Sequence, residues 1–256
     1  MIKAIFTRIK QGCRTTSYPR GKPPVLPDRY RGSPTVEEGS CPSGCRACAE
    51  ACPTGAISRT SGRFSFDLGK CLFCEDCERA CPQSALGHSR EFRLASGSRE
   101  GLVVPASGKL AALATPMEKK MRGMLGRSLK LRVVSAGGCN GCECDVNVLG
   151  TIGWDIGRFG IQFVASPRHA DGLIVTGPVT RNMELALKKT WEAIPEPKIA
   201  IAVGSCAISG GPYAGREEAG VGADSIVPID LYIPGCPPHP YTTLDGLLRL
   251  VGRIAK

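Results

Sequence analysis

The sequence predicts a chain in two unlike parts: a small α+β domain crowded with cysteine, then an α/β domain around a parallel sheet. Two observations predict it. Eight of the 14 cysteines fall within residues 37–90, in two tracts of related spacing. From residue 128 onward, apolar runs of strand length alternate with helical stretches, and that alternation is the signature of a parallel sheet covered on both faces.

Taken in order, residues 1–12 predict a short amphipathic helix. Ile2, Ile5, Phe6 and Ile9 share one face, with Lys3, Arg8 and Lys10 opposite. Two readings are open: attachment to a membrane surface or membrane subunit, or a terminal helix packed on its own domain. The same segment lacks a continuous apolar core, so it is not read as a signal peptide. No apolar run approaches bilayer-spanning length. Together these favour a reducing compartment, where many cysteines mean metal or cluster ligation and not disulfides.

Residues 13–36, with "TTSYPRGKPPVLPDRYRGSP", predict an extended strap, lying along a partner surface or serving as a linker. Residues 91–127 contain no cysteine and read as a linker. Within them Met117, Met121, Met124 and Leu125 form a helical stripe of the kind used in local packing. From 128 to 256, "LKLRVVSA", "IQFVAS", "GLIVTG", "KIAIAVG" and "IVPIDLYIPG" predict strands. "TRNMELALKKTWEAI" predicts a helix capped by Thr180, and "YTTLDGLLRLVGRIA" a closing helix.

The cysteine tracts carry the chemistry. "CLFCEDCERACP" is C-x2-C-x2-C-x3-C-P at Cys71, Cys74, Cys77 and Cys81, the bacterial run for a [4Fe–4S] cluster. Three nearby thiolates cap three corners of one cube, and the fourth cysteine serves the other cluster. "CPSGCRACAEACP" is the required second run, with a first gap one residue longer. "CPTGAI" after one run matches "CPQSAL" after the other, so the two form an internal repeat. The crossover predicts cluster 1 on Cys41, Cys45, Cys48 and Cys81, and cluster 2 on Cys71, Cys74, Cys77 and Cys52. No acid, base or nucleophile is arranged nearby, so this domain is expected to conduct electrons and perform no bond chemistry.

A third site is predicted from "GGCNGCECD". Cys139 and Cys142 follow a predicted strand, as do Cys206 in "AVGSCAISGG" and Cys236 in "YIPGCPP". Loops at the carboxyl ends of parallel strands gather at one sheet edge, which brings these four cysteines together. Gly137, Gly138, Gly141, Gly204, Gly210, Gly211 and Gly235 let backbone approach an inorganic cube, and Pro237 and Pro238 stiffen the last loop. A tetrathiolate zinc is the rival, but such sites use two short knuckles and not distant single cysteines. Cys13 and Cys144 are read as small buried hydrophobes, and His88 and His239 as surface residues. The formal net charge of +10 would ordinarily suggest nucleic acid or an anionic surface. Three cubanes at roughly −2 each remove about six of those charges, and no basic aromatic repeat or zinc-finger spacing supports a nucleic-acid partner.

"GGCNGCE", "RFGIQFVASPRHADGLIVTGPVT", "PKIAIAVGSCAISGG" and "IVPIDLYIPGCPP" together resemble the small subunit of group 4 membrane-bound [NiFe]-hydrogenases of the formate hydrogenlyase type. That subunit is similar to the 20 kDa subunit of respiratory complex I, which holds its terminal cluster. "IFTRIKQGCRTTSYP" through "CPQSALG" looks like the separate two-cluster ferredoxin-like subunit of the same complexes, so the chain resembles a fusion of neighbouring subunits. The resemblance implies a flavodoxin-like fold for the back half and a proximal [4Fe–4S] cluster on Cys139, Cys142, Cys206 and Cys236.

It implies an oxidoreductase subunit relaying electrons through three [4Fe–4S] clusters, with proton reduction or H2 oxidation at a Ni–Fe site in a partner large subunit. The alternative is a complex I-like quinone oxidoreductase with a 49 kDa-like partner. The complex I relative typically has adjacent cysteines at the first ligand position, and the C-x-x-C here favours the hydrogenase side. Further implied partners are membrane subunits of the complex and a donor module such as formate dehydrogenase, carbon monoxide dehydrogenase or ferredoxin. The implied location is peripheral, on the cytoplasmic side of the cell membrane. Glu143 is read either as part of a proton path or as a charge favoured at a helix N-terminus. Arg168 and His169 are read as cluster-edge donors or large-subunit contacts, or as a structural pair with Asp171.

Overall fold

The structure, a computed structural model, describes residues 2–254 except 23, 43, 61–62, 111–112 and 126. The elements run α1 (Ile2–Gln11), β1 (Pro34–Val36), α2 (Ala47–Glu50), β2 (Ile57–Thr60), β3 (Arg63–Asp67), α3 (Asp76–Arg79), β4 (Leu86–His88), β5 (Val103–Pro105), α4 (Lys119–Leu125), β6 (Leu129–Ser135), α5 (Gly141–Val148), β7 (Ile161–Phe163), β8 (Gly172–Thr176), α6 (Arg181–Ala193), β9 (Ile199–Val203), α7 (Ser205–Ser209), β10 (Leu231–Ile233) and α8 (Pro240–Leu250).

The back half is a five-stranded parallel sheet in the order β10-β9-β8-β6-β7. Numbered from β6, this is the flavodoxin order, in which the chain reverses direction across the sheet between β6 and β8. β8 and β9 are buried along their whole length, because layers cover both faces. On one face Leu131, Ile174, Ile201 and Val203 pack with Val146 of α5 and Leu244, Leu247 and Leu248 of α8. On the other, Leu173, Val175 and Ala200 pack with Leu187 of α6. Each fully buried Leu or Ile contributes about 1.5–3 kcal/mol. Strand β10 is shorter than its apolar run, since only Leu231–Ile233 pair with β9.

The front half is α+β. Strands β2, β3 and β5 form an antiparallel sheet, and β1 pairs with β4. Strand β5 comes from the stretch expected to be a linker, and Ser96 of that stretch bridges to Tyr232. The stretch is therefore woven into both halves. Phe66, Leu68, Leu102 and Val104 share one core with Ala202, Ala207, Ile208 and Tyr232 of the back half. In the Met stripe, Met117 and Leu125 are buried in the main core with Met121 against it, while Met124 is 58% exposed.

Three further expectations meet the structure here. The strap lies along its own back half: Tyr18 donates to Asp245 at 2.5 Å, Thr16 bonds Tyr241 at 2.8 Å, and Arg158 donates to the Tyr18 carbonyl. Helix α8 is consequently buried from Thr242 to Leu250. His239 is not a surface residue: it caps α8 by accepting from Tyr241 N–H and lies against Tyr30, Trp154 and Tyr241. His88 is no free surface group either; its side chain is 7% exposed and bonds Glu78. Helix α1 has no buried residue. Ile2, Ile5, Phe6 and Ile9 are 71%, 57%, 67% and 72% exposed, so the helix does not pack on its own domain.

Candidate iron–sulfur sites

The internal repeat is reproduced in the folded chain. Ala56 N–H donates to Cys52 Sγ and Ala85 N–H to Cys81 Sγ, at 3.2 and 3.3 Å. Gly55 and Ser84 occupy equivalent left-handed positions, with φ of 60° and 50°, and each donates to the carbonyl of its cysteine. Short helices α2 and α3 carry Cys48 and Cys77 at equivalent places. Two loops of one sequence pattern thus fold as two copies of one cradle.

Cys52, Cys71, Cys74 and Cys77 line one cavity, with Pro53, Ile57 and Phe66 as its apolar wall. Burial pushes the Cys71 thiol up to about 12, and neighbouring Cys77, Cys52 and Cys74 add to it. Cys77 is pushed up to about 11 by burial and by Cys52 and Cys74. Cys52, from the first run, therefore sits among thiols of the second. In the other set, burial raises Cys48, with Cys41 and Cys45 adding to it. Cys81 follows α3. Burial opposes its ionisation, but the N–H groups of Ala85, Gln83, Leu86 and Ser84 hold its thiol below the usual range. Arg59 of β2 braces the longer loop, donating to the carbonyls of Pro42 and Cys45; residue 43 of that loop lies outside the described residues. This brace has no signature in the sequence.

At the carboxyl edge of the parallel sheet, Cys139 and Cys142 follow β6, Cys206 follows β9 and Cys236 follows β10. The four converge. Burial drives Cys142 above the ordinary thiol range, and Cys206, Cys236 and Cys139 all add to the effect. Cys206 is pushed up to about 11 by burial, Cys236 and Cys139. Thiols raised in this way, as at Cys142 and Cys206, do not ionise together unaided, whereas a cationic iron core inverts that preference. The backbone is shaped for it. A Cβ on Gly204 would stand 2.4 Å from Cys142 Sγ, and one on Gly211 2.9 Å from Cys206 Sγ, both at positive φ. Gly204→Ala is accordingly expected to expel the Cys142 thiolate and lower the iron content of the purified chain by about one cluster of four irons. Unchanged iron would show that Gly204 is a turn residue only.

Among the described residues no three His, Cys, Asp or Glu side chains are drawn together tightly enough for one metal ion. The donor sets, the sulfur-directed N–H groups and the glycine cradle fit a cube of iron and sulfide.

Glu143, next to Cys142, is 8% exposed and accepts from Thr176 Oγ1 at 2.6 Å. Burial opposes its ionisation, but the hydroxyls of Ser135 and Thr176 hold it below the usual carboxylate range. It ties α5 to the adjoining strands. Arg168 and His169 are corrected: they follow β7 at the amino-terminal edge of the sheet, beside Asp171, which accepts from Lys130 N–H. That edge is opposite the cysteines, so they cannot donate to a group held there. Asp171 is taken by backbone instead of Arg168. Cys13 and Cys144 are exposed, not buried; Cys144 accepts from Asn140.

The family models agree with this architecture. The family model "NADH ubiquinone oxidoreductase, 20 Kd subunit" matches residues 139–250, and "4Fe-4S dicluster domain" matches residues 40–85. Formate hydrogenlyase subunit 7 of Escherichia coli is 42% identical over 154 residues, 59% of each chain. The probable membrane-bound hydrogenase subunit mbhJ of Pyrococcus furiosus is 40% identical over 132 residues, 52% of this chain and 79% of the relative. An NADH-quinone oxidoreductase subunit of Clostridium beijerinckii is 46% identical over 114 residues, 44% of this chain and 68% of the relative. A chain of the archaeal membrane-bound sulfane sulfur reductase matches at 34% identity with a TM-score of 0.46, covering 53% of this chain and 75% of its own. The fold and sites define an iron–sulfur protein of the oxidoreductase class. The chain belongs to the NADH ubiquinone oxidoreductase 20 Kd subunit family and carries a 4Fe-4S dicluster domain ahead of it. The chain spans 59% of the length of formate hydrogenlyase subunit 7.

Proposed function

We propose that the chain is the electron-transfer subunit of a membrane-associated [NiFe]-hydrogenase, with the Ni–Fe site in a partner large subunit. The observation that carries this is the gathering of Cys139, Cys142, Cys206 and Cys236 at one sheet edge, with cavity-lining Cys74 of the second run electrostatically adjacent to Cys236. Cluster 1 is assigned to Cys41, Cys45, Cys48 and Cys81, cluster 2 to Cys52, Cys71, Cys74 and Cys77, and the proximal cluster to the four sheet-edge cysteines. A [4Fe–4S] cluster supplies a one-electron carrier at each site. The chain's own part is to hold three such sites in a fixed series, with cluster 2 between the other two. Relatives named as formate hydrogenlyase and membrane-bound hydrogenase subunits and the C-x-x-C at Cys139 support the hydrogenase reading. The relative named as an NADH-quinone oxidoreductase subunit supports the second reading, a relay ending at quinone. Within the first reading Glu143, buried beside Cys142 and hydrogen-bonded to Thr176, is the candidate proton-path residue. The test is the activity of the complex that copurifies with this chain: hydrogen evolution from a reduced viologen supports the first reading, and quinone reduction without hydrogen evolution the second.

No helix among the described residues is long and apolar enough to cross a membrane. We place the complex on the cytoplasmic membrane surface, with α1 as a contact to it. The helix has an exposed apolar stripe, basic residues and no acid, which suits an anionic interface. Ile5→Asp with Ile9→Asp is expected to weaken binding to phosphatidylglycerol-containing vesicles by roughly tenfold or more. Equal sedimentation of both proteins with the vesicles would turn α1 over to a protein partner.

A further inference from the structure

We propose that Ser205 is a positioning residue that sets the separation between cluster 2 and the proximal cluster. The proposal rests on the cluster assignments above. Ser205 is the first residue of α7 and directly precedes Cys206. It is 1% exposed. Its Oγ donates to the carbonyl of Cys71, a cluster 2 ligand, at 2.6 Å. The same oxygen lies 3.2 Å from the carbonyl of Gly235, which directly precedes Cys236. That second carbonyl is already satisfied by the Ser205 N–H at 2.9 Å, so the hydroxyl hydrogen is left for Cys71.

One residue therefore joins three ligand loops: its own at Cys206, the one at Cys236 through its backbone N–H, and the Cys71 loop of the other domain through its hydroxyl. The surroundings are fitted to the same contact. One turn along α7, Ser209 Oγ donates to the carbonyl of Gly69 at 2.9 Å. A Cβ on Gly69 would stand 2.7 Å from Ile208 Cγ2 and 2.8 Å from Arg99 Nη1, so the loop before Cys71 lies flush on α7. Arg99 in turn holds Asp67 through two bonds of 2.8 and 2.7 Å. Without the Ser205 hydroxyl the Cys71 carbonyl loses its partner in a part-buried interface, and the loop gains an incentive to turn toward water.

The test compares the complete complex carrying Ser205→Ala with the unsubstituted one, purified without oxygen. Iron content, the magnetic splitting between reduced cluster 2 and the reduced proximal cluster, and hydrogen exchange across residues 69–74 are measured. The expected result is unchanged iron, a narrower splitting, and protection of 69–74 lower by about fivefold, the effect of one ordinary hydrogen bond. Gly69→Ala, which presses the same contact from the other side, is expected to narrow the splitting too. Unchanged splitting in Ser205→Ala with full iron overturns the proposal, since a purely structural serine alters exchange alone. Loss of iron from Ser205→Ala with an unchanged splitting in Gly69→Ala also overturns it. An unsubstituted complex lacking two interacting cluster signals overturns the cluster assignment itself, and is read before either variant.

Discussion

Cys236→Ser is expected to abolish hydrogen evolution by the assembled complex and to lower iron by about four atoms per chain. Cys236 is the proposed proximal ligand that follows β10, and burial together with the nearby Cys139 and Cys74 thiols pushes its own thiol above the ordinary range. Its loss opens the proximal site at the point where the two sets meet. Serine offers a hard hydroxyl oxygen that stays protonated at neutral pH, where iron prefers soft thiolate. The measurement is hydrogen evolved from a reduced viologen, alongside iron analysis of the same sample. A Cys236→Ser complex with full activity and full iron would remove Cys236 from the ligand set. The corresponding change at exposed Cys144 is expected to leave iron unchanged, since it lies outside all three sets.

The second large effect is structural. Asp245 is fully buried and Arg249, one turn along α8, is 5% exposed. Asp245 Oδ2 accepts from Arg249 Nε at 2.8 Å, and Oδ1 accepts from the Tyr18 hydroxyl at 2.5 Å. Burial and the adjacent Asp245 carboxylate both drive the Tyr18 phenol above its ordinary range, so it remains a neutral donor. Asp245→Ala leaves a guanidinium buried without its counter-charge and releases the strap at Tyr18. The expected cost is about 3–5 kcal/mol, seen as a fall of roughly 10 °C in the apparent unfolding temperature. Asp245→Leu combined with Arg249→Met is expected to cost less than Asp245→Ala alone, because no charge is stranded. A fall of under about 2 °C in Asp245→Ala would show that the pair is solvated and that the strap is held elsewhere.

These two expectations differ in how far the sequence reveals their basis. The cysteine sets are legible because iron–sulfur ligation imposes short spacings and an internal repeat. The parallel sheet is legible because β8 and β9 are short, almost wholly apolar runs and β6 is a strand-length run of apolar residues interrupted by Lys130 and Arg132. The convergence of Cys206 and Cys236 on Cys139 follows from strand ends alone. The Asp245–Arg249–Tyr18 network is not legible, since Tyr18 and Asp245 are 227 residues apart and no local periodicity links them.

The same holds for Ser205 reaching the Cys71 carbonyl across 134 residues, and for the stretch read as a linker that supplies β5 to one sheet and a bridge to Tyr232 at the edge of another. Cys144 misleads because helix periodicity does not say which side of α5 the body of the protein covers. Arg168 and His169 mislead for a related reason. β7 is only three residues long and pairs with the first residues of β6, so the loop after it stays at the amino-terminal edge. Helix α1 shows its two faces plainly in sequence, but only the fold shows that its apolar face is left uncovered.

The most direct test of the whole reading is metal analysis of the complex that copurifies with this chain, tagged and handled without oxygen. The account predicts roughly twelve irons attributable to this chain, with matching sulfide, and one Ni–Fe centre in the partner large subunit. The same iron without nickel would contradict the hydrogenase assignment and leave a relay ending at quinone. Zinc in place of iron and sulfide would contradict the relay altogether.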